Sequence, residues 1–146
     1  MTIREVTEVD SERIAALMGQ LGYPQSAAES VLQIKTYMDS STSFAIVAEE
    51  AGIIVGFASF HATPLFHQAG SLGRITAMCV DANSRRAGAG RALLSELERR
   101  AGCLGCARIE VSSGDHRESE AHVFYDSNGY KTDCRRFLKV LPKSEE

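Results

Sequence analysis

The sequence contains no long hydrophobic run. Its longest apolar stretch, residues 53–58, is far shorter than the roughly 20 residues that a membrane-spanning helix needs. The first five residues include an acidic side chain and are not followed by an apolar block, so they do not resemble a secretory signal. We therefore expect a cytoplasmic protein with no membrane contact.

Proline is scarce, with only 3 residues among 146. The chain also has 12 glycines, and 44% of its residues are hydrophobic and 24% charged. This composition excludes a disordered, collagen-like or membrane chain and is typical of an ordinary globular protein. A chain of this length suits one domain with one core. We place that domain at residues 1–142 and expect residues 143–146 to form a loose tail.

Charge of one sign is not in strong excess. The chain has 16 basic and 19 acidic residues, which gives a formal net charge of −3. A general nucleic-acid binder must neutralise many phosphates, and this balance argues against that class. Any anion-binding site must therefore be local.

Cysteine is also infrequent. Cys79, Cys103, Cys106 and Cys134 have several possible pairings, but nothing else indicates an oxidising compartment, so we expect free thiols. Cys103 and Cys106 have the C-x-x-C spacing of a redox or zinc half-site, yet a structural zinc site usually needs a second pair or nearby histidines. We expect no metal here and interpret the pair as a connection between a helix and a strand.

Hydrophobic periodicity and turn residues predict a chain of mixed α/β (α+β) type. The predicted strands are residues 3–6, 44–48, 53–60, 74–80 and 108–111, with a final pair at 130–132 and 137–141. Helices are predicted after Asp10, after the capping box that begins at Ser26, after Gly90 and over residues 121–126. Residues 22–26 and 61–72 are predicted surface loops that decide which substrate binds.

The strongest local signal is a glycine-containing loop between a predicted strand and a predicted helix. We call it the Gly88 loop, and it consists of Arg85, Arg86, Ala87, Gly88, Ala89, Gly90 and Arg91. Free N–H groups and the dipole at a helix start favour an anion, and glycine lets a pyrophosphate approach the main chain. The loop lacks the Lys and Ser or Thr of a P-loop, and Leu93 stands where a dinucleotide fingerprint needs a small residue. A phosphate-bearing ligand and a simple turn with solvated arginines both remain open.

Two motifs resemble the GNAT superfamily of N-acetyltransferases. The Gly88 loop matches the family's R/Q-x-x-G-x-G/A acyl-CoA signature, and residues 121–130, AHVFYDSNGY, match its A-x-x-F-Y-x-x-x-G-F/Y helix. The predicted order of elements also fits the family over nearly the whole chain. The resemblance implies a single domain with a mixed central sheet of about seven strands, splayed in the middle and flanked by about four helices.

The resemblance also implies acetyl-CoA as cosubstrate and a primary amine, on a small molecule or a peptide, as acceptor. By this likeness the Gly88 loop binds the pyrophosphate, and the strand around Met78 and Val80 pairs with the pantetheine arm. The main-chain N–H of Cys79 is then the oxyanion donor. Tyr125 is the implied general acid, because a phenol with a pKa of about 10 can protonate a leaving thiolate without being ionised first. Relatives often form dimers, which implies a homodimer.

The general base is the least defined part of this interpretation. Many relatives carry a glutamate in the strand before the acyl-CoA loop, whereas residues 75–78 here contain no carboxylate. Glu110 on the next predicted strand is a candidate base. Further candidates are Asp115, His116, His61 and His67. For each of these residues, and for Glu110, the alternative interpretation as a solvated or structural polar group carries more weight.

Two other functions remain possible from the sequence. One is a catalytically silent acyl-CoA-binding or regulatory module on the same fold, which the missing strand carboxylate favours and Tyr125 disfavours. The other is nucleotide or simple phosphate binding through the Gly88 loop, which ranks lower because the sequence has no magnesium-ligand motif.

Overall fold

The described residues form one mixed sheet of five strands. The computed structural model describes residues 1–85, 87–113 and 118–144. The strands are β1 (Thr2–Glu5), β2 (Ser43–Glu50), β3 (Ile53–Pro64), β4 (Ser71–Val80) and β5 (Cys106–Val111). They lie side by side in sequence order, with β1 to β4 antiparallel and β5 parallel to β4. The mixed α/β sheet is confirmed, but the predicted number of about seven strands is wrong.

Four α-helices lie in the same described ranges. They are α1 (Ser11–Leu21), α2 (Ala27–Met38), α3 (Ala89–Cys103) and α4 (Val123–Ser127), and a π-helical turn at Glu118–His122 leads into α4. The predicted capping box of α2 is present, since Ser26 Oγ accepts a hydrogen bond from the Glu29 N–H at 3.1 Å. The Glu29 carboxylate accepts the Ser26 N–H in return at 3.2 Å. None of the described helices is both long enough and apolar enough to cross a membrane.

Asp10 precedes α1 as predicted, but its carboxylate does not cap that helix. It accepts hydrogen bonds from the Arg4 guanidinium at 2.9 Å and from the Thr7 N–H at 2.8 Å. The bond from Arg4, followed by that from Thr7, holds the pKa of Asp10 below its usual value. The carboxylate thus ties β1 to the short 3₁₀ turn before α1.

The two faces of the sheet are covered by different helices. Phe57 of β3 packs with the buried side chains of α1 and α2, which include Ile14, Leu17 and Ile34. Its neighbour Gly56 faces the opposite side, where a Cβ atom would lie 2.9 Å from Leu93 Cδ1 of α3. Successive residues of a strand point to opposite faces, so α1 and α2 lie on one face and α3 on the other. Glycine at this position lets α3 approach β3 closely.

Half of the predicted loop at residues 61–72 is strand. β3 runs to Pro64, which pairs with Ser71, so the connection covers only residues 65–70. Gly73 of β4 allows this pairing, because the ring of Phe60 occupies the space that a side chain at Gly73 would need. Cross-strand pairing therefore extends past the β-rich residues that marked the strands in the sequence.

The last predicted strand pair, at residues 130–132 and 137–141, is absent from the described structure. Phe137 and Val140 are 92% and 84% exposed, and Leu138 and Leu141 are exposed as well. The preference of such residues for strands depends on packing against a neighbouring strand, and a lone hairpin is only marginally stable. The chain divides into two compact units, residues 1–112 and 113–146. The predicted domain boundary at residue 142 stays a prediction.

Candidate active site

The Gly88 loop joins the end of β4 to the start of α3. Gly88 is the N-cap residue of α3 and has φ of 91°, a left-handed conformation that glycine adopts at little cost. The first hydrogen bond of the helix runs from the Ala92 N–H to the Gly88 carbonyl at 3.0 Å. The N–H groups of Ala89, Gly90 and Arg91 come before this bond, and the first N–H groups of a helix have no partner within it. This part of the loop therefore has the donors and the dipole that bind an anion.

Two of the three arginines of the Gly88 loop are exposed to solvent. Arg85 is exposed after the 3₁₀ turn Ala82–Ser84, and Arg91 is exposed in the first turn of α3. Arg86 lies outside the described residues. Arg85 and Arg91 thus bracket the loop with positive charge.

Asp81 fixes the entrance to the loop. Its buried carboxylate accepts hydrogen bonds from Asn83 N–H at 2.8 Å, from Arg13 at 2.5 Å and from Gln20 at 3.2 Å. Gln20 also accepts the Ala82 N–H at 2.9 Å. The bond from Asn83, followed by those from Arg13 and Gln20, lowers the pKa of Asp81. Sequence reasoning missed this anchor, since nothing in the spacing links α1 to residue 81.

One edge of β4 has no strand partner among the described residues where it approaches the loop, and we call it the open edge. The parallel ladder with β5 ends at the pair Ile75–Val111, and β5 ends there too. Among the described residues, positions 77–80 of β4 pair only with β3. Met78 and Val80 lie on this segment, and the main-chain groups of a strand point alternately to its two edges. The ladder between β4 and β5 therefore stops before this segment, and the splayed sheet that the resemblance implies stays a prediction.

The side chain of Cys79 is turned into the core. Its Sγ–H donates to the Leu17 carbonyl at 3.4 Å, and the residue is 4% exposed. The thiol therefore packs as a small hydrophobic group. The Asp81 N–H donates to the Val55 carbonyl at 2.8 Å, and Cys79 pairs with Phe57 in the same register. Because main-chain groups alternate between the two edges of a strand, the Cys79 N–H points to β3. The oxyanion role of this N–H stays a prediction, and it would require the N–H to leave the ladder with β3.

A cavity of about 290 Å³ lies between α1, α2 and the sheet. We call it the α2 cavity. Its apolar walls are formed by Ile14, Met18, Ile34, Ala45, Phe57 and Ala77. Its polar side chains are Ser30, Gln33, Tyr37, Ser59 and Thr76. Lysine, arginine, aspartate and glutamate are absent from this described lining, and the sequence did not reveal the cavity.

Three hydroxyl groups form a hydrogen-bonded chain on the wall of the α2 cavity. Thr76 Oγ1 lies 2.7 Å from Tyr37 OH and 2.7 Å from Ser59 Oγ. We call these groups the hydroxyl chain. Ser59 is buried, whereas Thr76 is exposed and Tyr37 half-buried, so the chain runs from the interior to the rim of the cavity.

A β-bulge directs Thr76 into this chain. Ser59 of β3 pairs with Ala77 of β4, and the next residue, Phe60, pairs with Ile75, so Thr76 is the extra residue of the bulge. A bulge locally re-aims a side chain. Here it places the Thr76 hydroxyl on the sheet face that carries α1 and α2, next to Ser59.

Tyr125 lies half-buried in α4, within the unit of residues 113–146. The end of α4 is a Schellman motif, in which the Gly129 N–H donates to Asp126 O at 3.2 Å and the Tyr130 N–H to Tyr125 O at 3.0 Å. Gly129 takes φ of 90°, as this motif requires. The Tyr130 ring lies 5.7 Å from the Tyr125 ring. The Tyr-x-x-x-Gly-Tyr spacing is thus explained by helix termination and ring packing.

The candidate bases differ in their surroundings. Glu110 on β5 forms an ion pair with Arg74 at 2.5 Å, and Arg74 also donates to Ser112 Oγ at 3.0 Å. The role of Glu110 as a base stays a prediction. Glu110 would have to leave its ion pair with Arg74 to accept a proton from the amine. Asp115 and His116 lie outside the described residues.

The two histidines of the predicted substrate loop lie in different settings. His61 is on β3, where its Nδ1 is 2.7 Å from Ser43 Oγ. His67 is exposed in the connection between β3 and β4. The described structure therefore separates the two side chains that the sequence placed in one loop.

The C-x-x-C pair marks a change of element. Cys103 is the last residue of α3 and Cys106 the first of β5, which confirms the predicted helix-to-strand connection. All four cysteines are free, and burial raises the pKa of the Cys106 thiol. Within the described part of the chain, no three His, Cys, Asp or Glu side chains are grouped so as to hold a metal ion.

The chain is similar to known acetyltransferases in both sequence and structure. Residues 41–132 match the model of the acetyltransferase (GNAT) domain. The uncharacterized N-acetyltransferase YhfO of Bacillus subtilis strain 168 is 31% identical over 142 residues, which cover 91% of each chain. A transcriptional regulator from Bacillus halodurans C-125 superposes with a TM-score of 0.86 at 25% identity, over 96% of this chain and 99% of that one. A GNAT family acetyltransferase from Staphylococcus aureus USA300_TCH1516 has a TM-score of 0.80 at 23% identity, over 96% and 98% of the two chains.

Proposed function

The chain belongs to the GNAT acetyltransferase family and is an acetyltransferase, and on that premise we propose that it transfers an acetyl group from acetyl-CoA to a primary amine by direct attack in a ternary complex. The observation that carries the proposal is the open edge of β4 leading into the glycine-capped start of α3. An amide-bearing arm needs unpaired strand groups, and a pyrophosphate needs main-chain donors at a helix start. Both lie on one continuous segment, where the Val80 carbonyl also accepts a long hydrogen bond from Arg85 Nε at 3.5 Å.

The residues of the Gly88 loop fit a pyrophosphate. A Cβ atom built on Gly88 meets no atom within 4 Å, so the space beside the main chain is open. In the proposed complex the N–H groups of Ala89, Gly90 and Arg91 bind the phosphate oxygens, and Arg85 adds positive charge. The motif alone assigns Arg86 and Ala87 to the same contact. Met78 and Val80 bind the pantetheine amides along the open edge.

Two groups of the chain act in the proposed reaction. While the amine nitrogen bonds to the carbonyl carbon, negative charge develops on the thioester oxygen, and the resemblance assigns its stabilisation to the Cys79 N–H, which would have to give up its place in the ladder with Phe57. Tyr125 donates its phenolic proton to the sulfur as the carbon–sulfur bond breaks. The attacking nitrogen loses a proton to solvent and the phenolate regains one, so the products are the N-acetylated amine and free CoA thiol. The role of Tyr125 rests on the motif at residues 121–130.

Release of free thiol from acetyl-CoA tests this proposal. We expect release that depends on a primary amine and is accompanied by the N-acetylated amine. Thiol release without acetylated amine would indicate simple hydrolysis and would contradict amine transfer.

A catalytically silent acyl-CoA-binding or regulatory module is the second candidate function. Two observations favour it: residues 75–78 of β4 contain no carboxylate, and one structurally similar protein is a transcriptional regulator. This function requires tight acetyl-CoA binding with no amine-dependent turnover. Calorimetry and the thiol assay on the same preparation therefore distinguish the two candidates.

The resemblance also supports a homodimer and a cytoplasmic location, which we propose on that ground alone. Sedimentation equilibrium measures the oligomeric state directly. A single species of monomer mass at micromolar concentration would contradict the homodimer.

A further inference from the structure

We propose that the α2 cavity is the acceptor site and that it selects primary amines carried on an uncharged, mostly apolar body. This inference rests on the proposed acetyl-transfer function and names the substrate class of the same reaction. It follows from the position of the cavity along β4 and from the chemistry of its lining.

The cavity lies beside the segment of β4 to which the oxyanion donor is assigned. Ala77 lines the cavity and packs against the same core cluster as Cys79, two positions further along β4. Ala77 also precedes Met78, whose main-chain groups point to the open edge of β4. Thr76 and Met78 are two residues apart, about 7 Å of strand at 3.3 Å per residue. An amine bound at Thr76 therefore lies close to an acyl group carried by a pantetheine arm that is bound at Met78.

The lining sets the charge of the acceptor body. The apolar side chains from α1, α2 and the sheet give the cavity its shape, and its described polar side chains carry serine, threonine and tyrosine hydroxyls and one glutamine carboxamide. Two basic residues adjoin lining residues in sequence. Arg13 is engaged by Asp81 and by the Ile54 carbonyl at 2.5 and 2.9 Å, and Lys35 is exposed on α2. A carboxylate or phosphate on the acceptor would thus be desolvated without a cationic partner, which is strongly unfavourable.

The hydroxyl chain sets the protonation state of the bound amine. Each hydroxyl of Ser59, Thr76 and Tyr37 has one proton to donate and lone pairs to accept with, so the chain can accept an N–H of the amine while its own hydrogen bonds persist. A carboxylate at this place would favour the ammonium form, which has no lone pair for attack. Neutral hydroxyls favour the free amine, so Thr76 is a positioning group that does not require the missing strand glutamate.

Three matched amines test the substrate class. Phenethylamine has an uncharged body, phenylalanine adds a carboxylate, and phenylalanine amide has nearly the size of phenylalanine without its charge. At equal concentrations of free amine, we expect kcat/KM for phenethylamine and phenylalanine amide to exceed that for phenylalanine by at least about tenfold. Equal or better use of phenylalanine would overturn the inference.

Matched hydroxyl variants test the position. Thr76→Val keeps the shape of the side chain, and we expect it to lower kcat/KM for phenethylamine about five- to tenfold with acetyl-CoA affinity unchanged. Thr36→Val is the control, because Thr36 is exposed on α2 and donates to the Leu32 carbonyl outside the cavity. Tyr37→Phe provides a second variant in case Thr76→Val disturbs the bulge. The inference is wrong if both variants behave like Thr36→Val.

Amine binding without transfer separates this inference from the proposed function. Phenethylamine is titrated into the protein in the presence of CoA, which carries no acetyl group, and Thr76→Val is titrated in parallel. Binding that Thr76→Val weakens, with no acetylation of any amine, would support the cavity and contradict the transferase. Acetylation of other amines with no phenethylamine binding would contradict the cavity and leave the transferase standing. Neither binding nor acetylation would contradict both.

Discussion

Arg13 of α1 and Asp81 at the end of β4 form an ion pair in which Nη2 and Oδ2 are 2.5 Å apart. The same carboxylate accepts the Asn83 N–H, so one side chain joins the first helix to the main chain that leads into the Gly88 loop. The geometry of the proposed pyrophosphate site therefore depends on a helix that is far from it in sequence.

Asp81→Asn should lower the melting temperature and weaken acetyl-CoA binding several-fold, because it removes the charge that holds Arg13. The pKa of Asp81 is lowered in the folded protein. Its contribution to stability is thus fully present above the unfolded pKa of about 3.9 and is lost as the pH falls through the folded pKa. Melting temperatures of wild type and variant should differ at pH 7 and converge below about pH 3.9. Glu50→Gln, at the exposed end of β2, is the control, and a difference that persists unchanged at low pH would contradict this assignment.

Gly90→Glu should weaken acetyl-CoA binding strongly, because it places a negative charge beside the proposed pyrophosphate. Gly88→Glu should do the same, but its φ of 91° adds backbone strain, which makes Gly90 the cleaner position. Gly102→Glu puts the same charge near the other end of α3 and serves as the control. Calorimetry that shows equal affinity for all three variants would exclude the Gly88 loop as the site.

Chelator and reducing agent should change neither stability nor activity. Cys103 and Cys106 belong to different elements, and burial raises the pKa of Cys106, so its thiol is less reactive as a nucleophile. With iodoacetamide at pH 8, the exposed Cys103 should be alkylated before Cys106. Stoichiometric zinc in the purified protein, together with a melting temperature that falls on chelation, would contradict the interpretation that Cys103 and Cys106 bind no metal.

Local sequence signals predicted the helices whose starts are marked by capping residues or glycines. The Ser26 capping box and the glycines of the Gly88 loop act within a few residues. α2 starts directly after Ser26 as predicted, and α3 starts at Ala89, two residues before the predicted start after Gly90. The Tyr37–Thr76 contact joins residues 39 positions apart, and it depends on a bulge that no local pattern specifies. The prediction of a final strand pair was wrong because it relied on local composition alone. Residues such as Phe137 and Val140 indicate a strand only when a partner strand is present.

Tyr125→Phe should lower turnover at least about tenfold and leave acetyl-CoA affinity nearly unchanged, because it removes the acidic proton and keeps the ring. Tyr130→Phe is the matched control, since it removes a hydroxyl from the ring that packs on Tyr125. Single-turnover measurements ensure that chemistry limits the rate. If Tyr125→Phe and Tyr130→Phe both match wild type, Tyr125 is a packing residue and water protonates the thiolate.

The most direct test of the central claim is to measure, in one reaction, the free thiol and the N-acetylated amine formed from acetyl-CoA with each member of a panel of primary amines. Acetyl transfer by direct attack predicts equal molar amounts of the two products, both proportional to enzyme concentration and both absent without amine. Tight acetyl-CoA binding with no amine-dependent thiol release for any amine would contradict the account and establish a silent acyl-CoA-binding module.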